Sequence, residues 1–485
     1  MRRSRLIALQ VTCLFLVALT FWLGYNSFTS QSWSPGRLIG LRPHDDAVHN
    51  GVPEHVDTPG PTNTTESTST APEPTGAPEP DAPEPEAPGP ADAPADAPES
   101  VDPDQSFNAT SHIKAILDPT DATFPRLECP APNGTRYEYL KADVNDVTPP
   151  ELKYYFALDL RQSIEVIPRL LGSIVEAVQF LGPRACALSI VEGNSDDGTR
   201  EVLQALRPGL EALNLTYHMA TSELDPATAG SGRIVKLAQL RNQALAPLLA
   251  SPPPAPSSPP VPNANTTVIF LNDVALCAED ILELVHQRAF QGADMTCAMD
   301  WTYVGRDPTF YDVWVARTLG GDLFFDIPPG GSWDSAWNLF WNDAGTKARY
   351  GAMLPFQVYA CWNGAVAFGA APVLEQEGEK KEGPGRIEFR ASRDGECYAG
   401  EPTLFCKDLW WSGRGRIAVV PSVNLEYSNE AAGKIKDLKG YTSKWTERGD
   451  EEKTKIEWVD EPPDMVACMP GLGDKSWRPW NETLT

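Results

Sequence analysis

Apolar positions change period several times between residues 154 and 291, and each change predicts a new element. Tyr154–Leu160 (YYFALDL) is an apolar run of strand length. Ile167–Phe180 repeats its apolar residues at helical spacing, with Val175, Val178 and Leu181 on one side. Ala185–Val191 reads as a second strand, Arg200 to about Leu206 as a helix, Leu215–Met219 as a third strand and Arg233–Leu249 as a long helix. Thr267–Leu271 is an apolar, β-branched strand that stops at Asn272-Asp273-Val274. The helix after it carries Ile281, Leu284, Val285 and Arg288 at helical spacing. Strands alternating with helices predict an α/β fold built on a mostly parallel sheet with flanking helices.

In open α/β sheets, ligands gather beyond the carboxyl ends of the strands. Two such ends carry acids here. Asp273 stands at the tip of the Thr267–Leu271 strand, either as a ligand-binding carboxylate or as an Asx turn that closes the strand. The second strand runs into Glu192-Gly193-Asn194-Ser195-Asp196-Asp197-Gly198-Thr199. Glu192 is placed to bind base N–H groups or ribose hydroxyls. Asp196 and Asp197 either join it or cap the next helix. Arg241 lies on a helix that faces the same edge, either approaching a diphosphate or solvated.

The two ends of the chain differ from this pattern. Three arginines within Met1–Arg5 precede Leu6–Gly24, which carries no charge and is just long enough to span a bilayer as a helix. An uncleaved signal anchor is expected over residues 1–25, with the rest in the secretory lumen. Residues 26–110 form an expected disordered stem: from about Pro43 to Gln105, Pro, Ala, Glu, Asp and Thr dominate and no core can form. The stem holds roughly half of the net charge of −26, so the acidity says little about the site but argues against a nucleic-acid partner. A single large domain is expected over residues 111–485. Asn-x-Ser/Thr acceptors at Asn63, Asn108, Asn133, Asn214, Asn265 and Asn481 agree with a lumenal chain. Of nine cysteines, Cys13 lies in the anchor; the other eight permit disulfides without assigning pairs, and Cys186, Cys277 and Cys297 sit in apolar runs that suit core thiols. A Pro-rich insert, SPPPAPSSPPVPNAN, and a charged run, EQEGEKKEGPG, read as surface loops.

The C-terminal half is rich in aromatics: WDSAWNLFWND, then PFQVYACWNGAVAFGA. Aromatic rings in a cleft stack on sugar faces; the same rings in a core merely fill it. Trp333, Asp334, Trp362 and Asn363 are the candidate acceptor-binding residues. Glu396, Glu401 and Asp408 crowd a short segment beside two cysteines, either as a solvated loop or facing a reacting carbon or hydroxyl. Glu401 and Asp408 are the candidate catalytic acids, with Asp312, Asp334 and Asp343 behind them.

Several long segments match a known family in order: FLNDVALCAEDILELVHQRAFQGADMTCAMDW, FYDVWVAR, YACWNGAVAF, the GEC…EPTLFCKDLW run and VVPSVNLEYS. Together they resemble the fungal α-1,3-mannosyltransferases of the cryptococcal capsule, family 69 of the glycosyltransferases, from about Pro125 to Tyr427. The resemblance implies a GT-A-like, Rossmann-type fold after the N-terminal transmembrane helix and stem. It implies a type II Golgi membrane enzyme that transfers mannose from GDP-mannose to a mannoside or polysaccharide acceptor, in α-1,3 linkage with retention. It also implies a divalent ion, Mn²⁺ or else Mg²⁺, on Asp273, with Asn272 beside it in the donor site. Asn272 departs from the usual Asp-x-Asp and brings no charge; one carboxylate suffices where the donor's phosphates supply the other ligands. Pro402 follows Glu401 where a small residue or cysteine is expected. Two alternatives stand beside this reading: another nucleotide sugar such as UDP-xylose, or a non-catalytic protein of the same fold that supports polysaccharide export.

Overall fold

The structure is a computed structural model that describes residues 107–142, 151–226, 232–250, 260–304, 307–374, 385–447, 451–471 and 473–484. The expected anchor, nearly all of the stem and most of the two surface loops lie outside these residues. Among the described residues no helix is long and apolar enough to cross a membrane. The unit described here begins at Phe107, against an expected start at residue 111.

Its centre is one mixed sheet. The strands are β1 (Glu151–Leu160), β2 (Cys186–Glu192), β3 (Thr216–Thr221), β4 (Val261–Leu271), β5 (Met295–Val304), β6 (Asp307–Phe310), β7 (Arg317–Thr318), β8 (Phe356–Ala360), β9 (Ala365–Gly369) and β10 (Ile417–Leu425). They run in the order β3-β2-β1-β4-β9-β5-β10-β8-β7, and β6 pairs with β5. The first four are parallel, as the strand–helix alternation predicts. β9 enters antiparallel between β4 and β5, and β10 is parallel to β5. The sheet is therefore parallel in its N-terminal half and mixed beyond it. A hairpin of β11 (Met465–Cys468) and β12 (Ser476–Pro479) stands apart from it.

The helices are α1 (Thr110–Leu117), α2 (Ile167–Leu181), α3 (Thr199–Ala212), α4 (Arg233–Leu249), α5 (Ala278–Gln291), α6 (Ala344–Gly351), α7 (Glu401–Trp411) and α8 (Asn429–Lys439), with shorter turns between. Strand side chains alternate between the sheet's two faces. Phe156, Leu158, Ile269 and Leu271 pack in one core with apolar residues of α2, α3 and α5. Tyr155, Ala157, Val268 and Phe270 pack in the other with α4, α7 and the C-terminal aromatics. Burial on both faces explains why these strands read as continuous apolar runs.

Two boundaries differ from the sequence reading for physical reasons. α3 continues past Pro208 because Leu210, beyond the proline, is fully buried in the core. β4 starts at Val261, inside the Pro-rich insert, with Pro262 opposite Leu152 just before a register shift in the pairing with β1. A proline is tolerated at such an irregularity. Cys277 and Cys297 are not core thiols: the pairs are Cys129–Cys277, Cys297–Cys361 and Cys397–Cys468, with Cys186 and Cys406 as buried free thiols.

Candidate functional site at the strand tips

The chain builds outward from β1 to β2 and β3, then returns to place β4 on the other side of β1. The reversal makes a topological switch point between β1 and β4, where a crevice opens beyond the strand ends. Asp159 at the end of β1 and Asp273 just past β4 flank it. Because β9 is antiparallel to its neighbours, β5 and β10 run toward the same edge, adding Asp300, where β5 leaves its pairing with β10 for β6, and, beyond β10, Tyr427. The residues Asn363 and Gly364, which lead into β9, complete the row.

A turn at Trp362–Gly364 stitches these tips together. Asn363 has φ +57° and Gly364 φ +82°, so the chain reverses tightly before β9. A side chain at Gly364 would sit 3.2 Å from Val274 Cγ1 and 3.4 Å from Asp300 Cβ, which is why the position takes glycine. Asn272 N donates to Gly364 O at 2.9 Å, and Trp362 Nε1 donates to Asn272 Oδ1 at 3.0 Å. Asn363 Nδ2 donates to Ala298 O at 2.8 Å and Asn363 N to Asp312 Oδ2 at 2.9 Å. Trp362 and Asn363 are buried and their polar groups are used up. They frame the site rather than offering a surface for an acceptor.

Arg241, on α4, is the cation behind the tips. Its Nε donates to Glu401 Oε1 at 2.8 Å, and its guanidinium lies 4.3 Å from the Trp362 ring centre, with Phe270 at 5.2 Å and Phe389 at 5.7 Å. Its Nη1 is buried with no hydrogen-bond partner. Burial works against its charge, but Asp159 and Glu401 together hold it ionised. Glu401 opens α7, with Pro402 in the first turn, where no backbone N–H is required.

The acids outnumber this cation. Burial pushes Asp159 up to about 6, with Glu401 and Asp273 adding to the rise against the pull of Arg241. Burial likewise raises Asp312 to about 6 and raises Asp273. Asp300 is raised well above the carboxylate range by burial and by Asp312. Its Oδ2 accepts from Tyr427 OH at 2.7 Å, while Oδ1 is sealed without a donor. Such an excess of buried negative charge fits a site that receives a cation. Among the described residues no three His, Cys, Asp or Glu side chains form a ligand group. Of these acids, Asp273 is the carboxylate that would hold a hard divalent ion, with oxygens of a phosphate ligand supplying further ligands.

The other expected residues lie elsewhere or are otherwise occupied. Both Glu192 oxygens are engaged, Oε1 by Ser195 N at 2.6 Å and Oε2 by Arg200 Nε at 2.9 Å, so Glu192 shapes the turn after β2. Asp196 is exposed and bonded to Gln162, and Asp197 braces the turn before α3, accepting from Thr199 N at 2.9 Å and Ile164 N at 3.0 Å, while the N-cap is Gly198. Asp408 lies two turns along α7 from Glu401, ~10 Å by helical rise, and is paired with Arg390 at 2.7 Å. Trp333 packs on Phe325, Asp334 is exposed, and Asp343 caps α6 by accepting from Thr346 N at 2.9 Å. Asp159 and Asp300 went unnoticed in the sequence, although YYFALDL and TCAMDW each set a single acid in an apolar strand run.

Comparison with known proteins places the chain in a family. The family described as cryptococcal mannosyltransferase 1 matches residues 153–408, a span that holds Asp159, Arg241, Asp273, Asp300, Asp312 and Glu401. The α-1,3-mannosyltransferase CMT1 of Cryptococcus neoformans is 35% identical over 359 residues, 68% of this chain and 73% of that protein. Among solved structures, residues 1–349 of Staphylococcus aureus TarS align with TM-score 0.32 at 15% identity, over 57% of this chain and 60% of that one. The mannosyltransferase PcManGT of Pyrobaculum calidifontis, solved with GDP-Man and Mn²⁺, aligns with TM-score 0.31 at 13% identity, over 60% and 62%. Each alignment spans less than two thirds of the solved chain, and scores this low transfer nothing to this protein. The sequence relationships suffice: the chain belongs to the cryptococcal mannosyltransferase family and is a glycosyltransferase.

Proposed function

We propose that this enzyme transfers mannose from GDP-mannose to a mannoside or polysaccharide acceptor, in α-1,3 linkage and with retention, as a type II Golgi membrane protein anchored through residues 1–25. The observation that carries the donor reading is that Asp159, at the β1/β4 switch point, feels both Asp273 and Arg241, whose Nη1 is a buried donor without a partner. A guanidinium N–H held in an aromatic cage and aimed at no protein acceptor is suited to a phosphate oxygen. Asn272, fixed by Trp362, sets the position of Asp273 beside it. Mn²⁺ or Mg²⁺ on Asp273 would offset the charge that develops on the departing diphosphate.

The test measures nucleotide release and product from the full-length protein in detergent, with GDP-mannose, UDP-xylose and other nucleotide sugars, with Mn²⁺ and with chelator. Mannosylation of an α-mannoside from GDP-mannose, abolished by chelator, is the expected result. Turnover of a different donor overturns the donor assignment, and no turnover of any donor returns the chain to the non-catalytic reading.

A further inference from the structure

The strand order lays out the site in sequence along one edge. Glu192, Asp159, Asp273, Asn363, Asp300 and Tyr427 follow one another along this edge, carried by β2, β1, β4, β9, β5 and β10, with Asp300 where β5 parts from β10. Neighbouring strands stand ~4.8 Å apart. If the diphosphate lies at Asp273 and the nucleoside extends over β1 and β2, then the sugar and its acceptor lie over β9 and β5. The half-buried acid there, held by the turn that leads into β9, is Asp312. Its Oδ2 is fixed by Asn363 N at 2.9 Å. Its other oxygen makes no hydrogen bond among the described residues and is not sealed from solvent. Glu401 is held by Arg241, Asp408 by Arg390, and Asp300 is fully buried.

We propose that Asp312 is the catalytic carboxylate, taking the acceptor's proton, and that Asp300, hydrogen-bonded to Tyr427, is the positioning residue behind it. The inference rests on the glycosyl-transfer reading above. In the step, the bond from the anomeric carbon to the β-phosphate oxygen breaks and its electron pair leaves with GDP. The acceptor oxygen forms the new bond to that carbon on the same face that GDP leaves, so configuration is retained, and its proton passes to the free oxygen of Asp312, then to solvent. The groups facing Asp312 set its basicity: Asp300 from β5, Arg241 from α4, Glu401 from α7 and Arg317 from β7. A carboxylate raised to about 6 is ionised at neutral pH and basic enough to accept the proton. Asp300 is joined to the segment bearing Asp312 through Tyr311 N, which donates to Asp300 O at 3.1 Å, and the Tyr311 ring packs 4.9 Å from that of Tyr427.

The experiment first fixes, on the wild-type full chain, which nucleotide sugar is consumed, and then runs every variant with that donor. Failure with GDP-mannose alone therefore strikes the donor assignment and not Asp312; failure with every donor overturns both. Asp312→Asn is expected to lower kcat by about 100-fold or more with donor Kd unchanged. A kcat within threefold of wild type overturns the catalytic role, as does a matching loss of donor affinity. Asp300→Asn and Tyr427→Phe separate positioning from folding. Asp300→Asn removes a like charge, so the acid limb of kcat/KM should move to lower pH. Tyr427→Phe removes the hydrogen bond that holds Asp300 down, so Asp300 carries less charge and the limb should move the same way by less. Melting temperatures read alongside remove from the comparison any variant that fails to fold, and a limb unmoved in the variant that does fold overturns the role of Asp300.

Discussion

Two clusters of buried charge sit on α7, seven residues apart, and they are built on opposite plans. Around Asp408, every charge has a partner. Arg390 bonds Asp408 at 2.7 and 2.9 Å and Glu396 at 2.7 Å, while Lys407 bonds Glu396 at 2.6 Å and Glu482 O at 2.8 Å. Burial works to raise Glu396, yet the hydrogen bonds from Arg390 and Lys407 carry it down to about 2. Around Glu401, Arg241 faces Asp159, Glu401 and Asp312 at once, with one of its own donors left over. The first cluster is complete without a ligand and closes the fold between α7 and the chain's last turn. The second is complete only when something else brings charge to it. Acids that look alike in sequence thus differ in whether their charge is already matched.

The largest effect that tests this contrast is Asp408→Asn. It strips Arg390 of a partner in a largely buried network, and breaking such a pair costs about 3–5 kcal/mol. Unfolding midpoints should fall accordingly while kcat of the folded enzyme stays within a few-fold. A loss of turnover at unchanged stability would erase the distinction and restore Asp408 as a catalytic acid. Next in size is Asp273→Asn, expected to weaken metal-dependent binding of GDP-mannose by about 100-fold, or 2.7 kcal/mol, with little change in melting temperature. Calorimetric titration with Mn²⁺ reads it, and equal affinities would leave Asp273 as a turn cap.

Much of this was legible in the chain. Arg233–Leu249 was read with its observed ends because its apolar spacing starts and stops cleanly. The β1, β2 and β4 strands were found because burial on both faces makes them continuous apolar runs. The insertion of β9 between β4 and β5 was not, since a five-residue apolar strand carries no mark of its direction or partner. Asp273 was singled out and Asp300 passed over for a similar reason: nothing local says that β5 runs toward the same edge as β4. Arg241 and Glu401 meet across a sequence separation of 160, a pairing no spacing rule encodes.

The smallest effect is a dependence of stability on pH, and its sign differs between the clusters. Asp312, held near 6 by burial, is raised from an unfolded value of ~3.9, and Asp300 is raised as well. Between those values the folded chain holds more protons than the unfolded one, so stability falls as pH rises from about 4 to 6. Glu396 is depressed to about 2, so its contribution is in place above its unfolded value of ~4.3 and is lost as pH falls toward 2. The ligand-free protein is therefore expected to melt a few degrees higher at pH 5 than at pH 7, and Asp312→Asn is expected to flatten that difference. Mn²⁺ with GDP should raise the melting temperature more at pH 7, where the site acids are ionised, than at pH 5, where protons compete with the cation. Differential scanning fluorimetry across pH 4–8 reads both trends. A wild-type curve that is flat from 5 to 7, or one that climbs, would mean that the strand-tip acids are already matched and that the two clusters on α7 do not differ in kind.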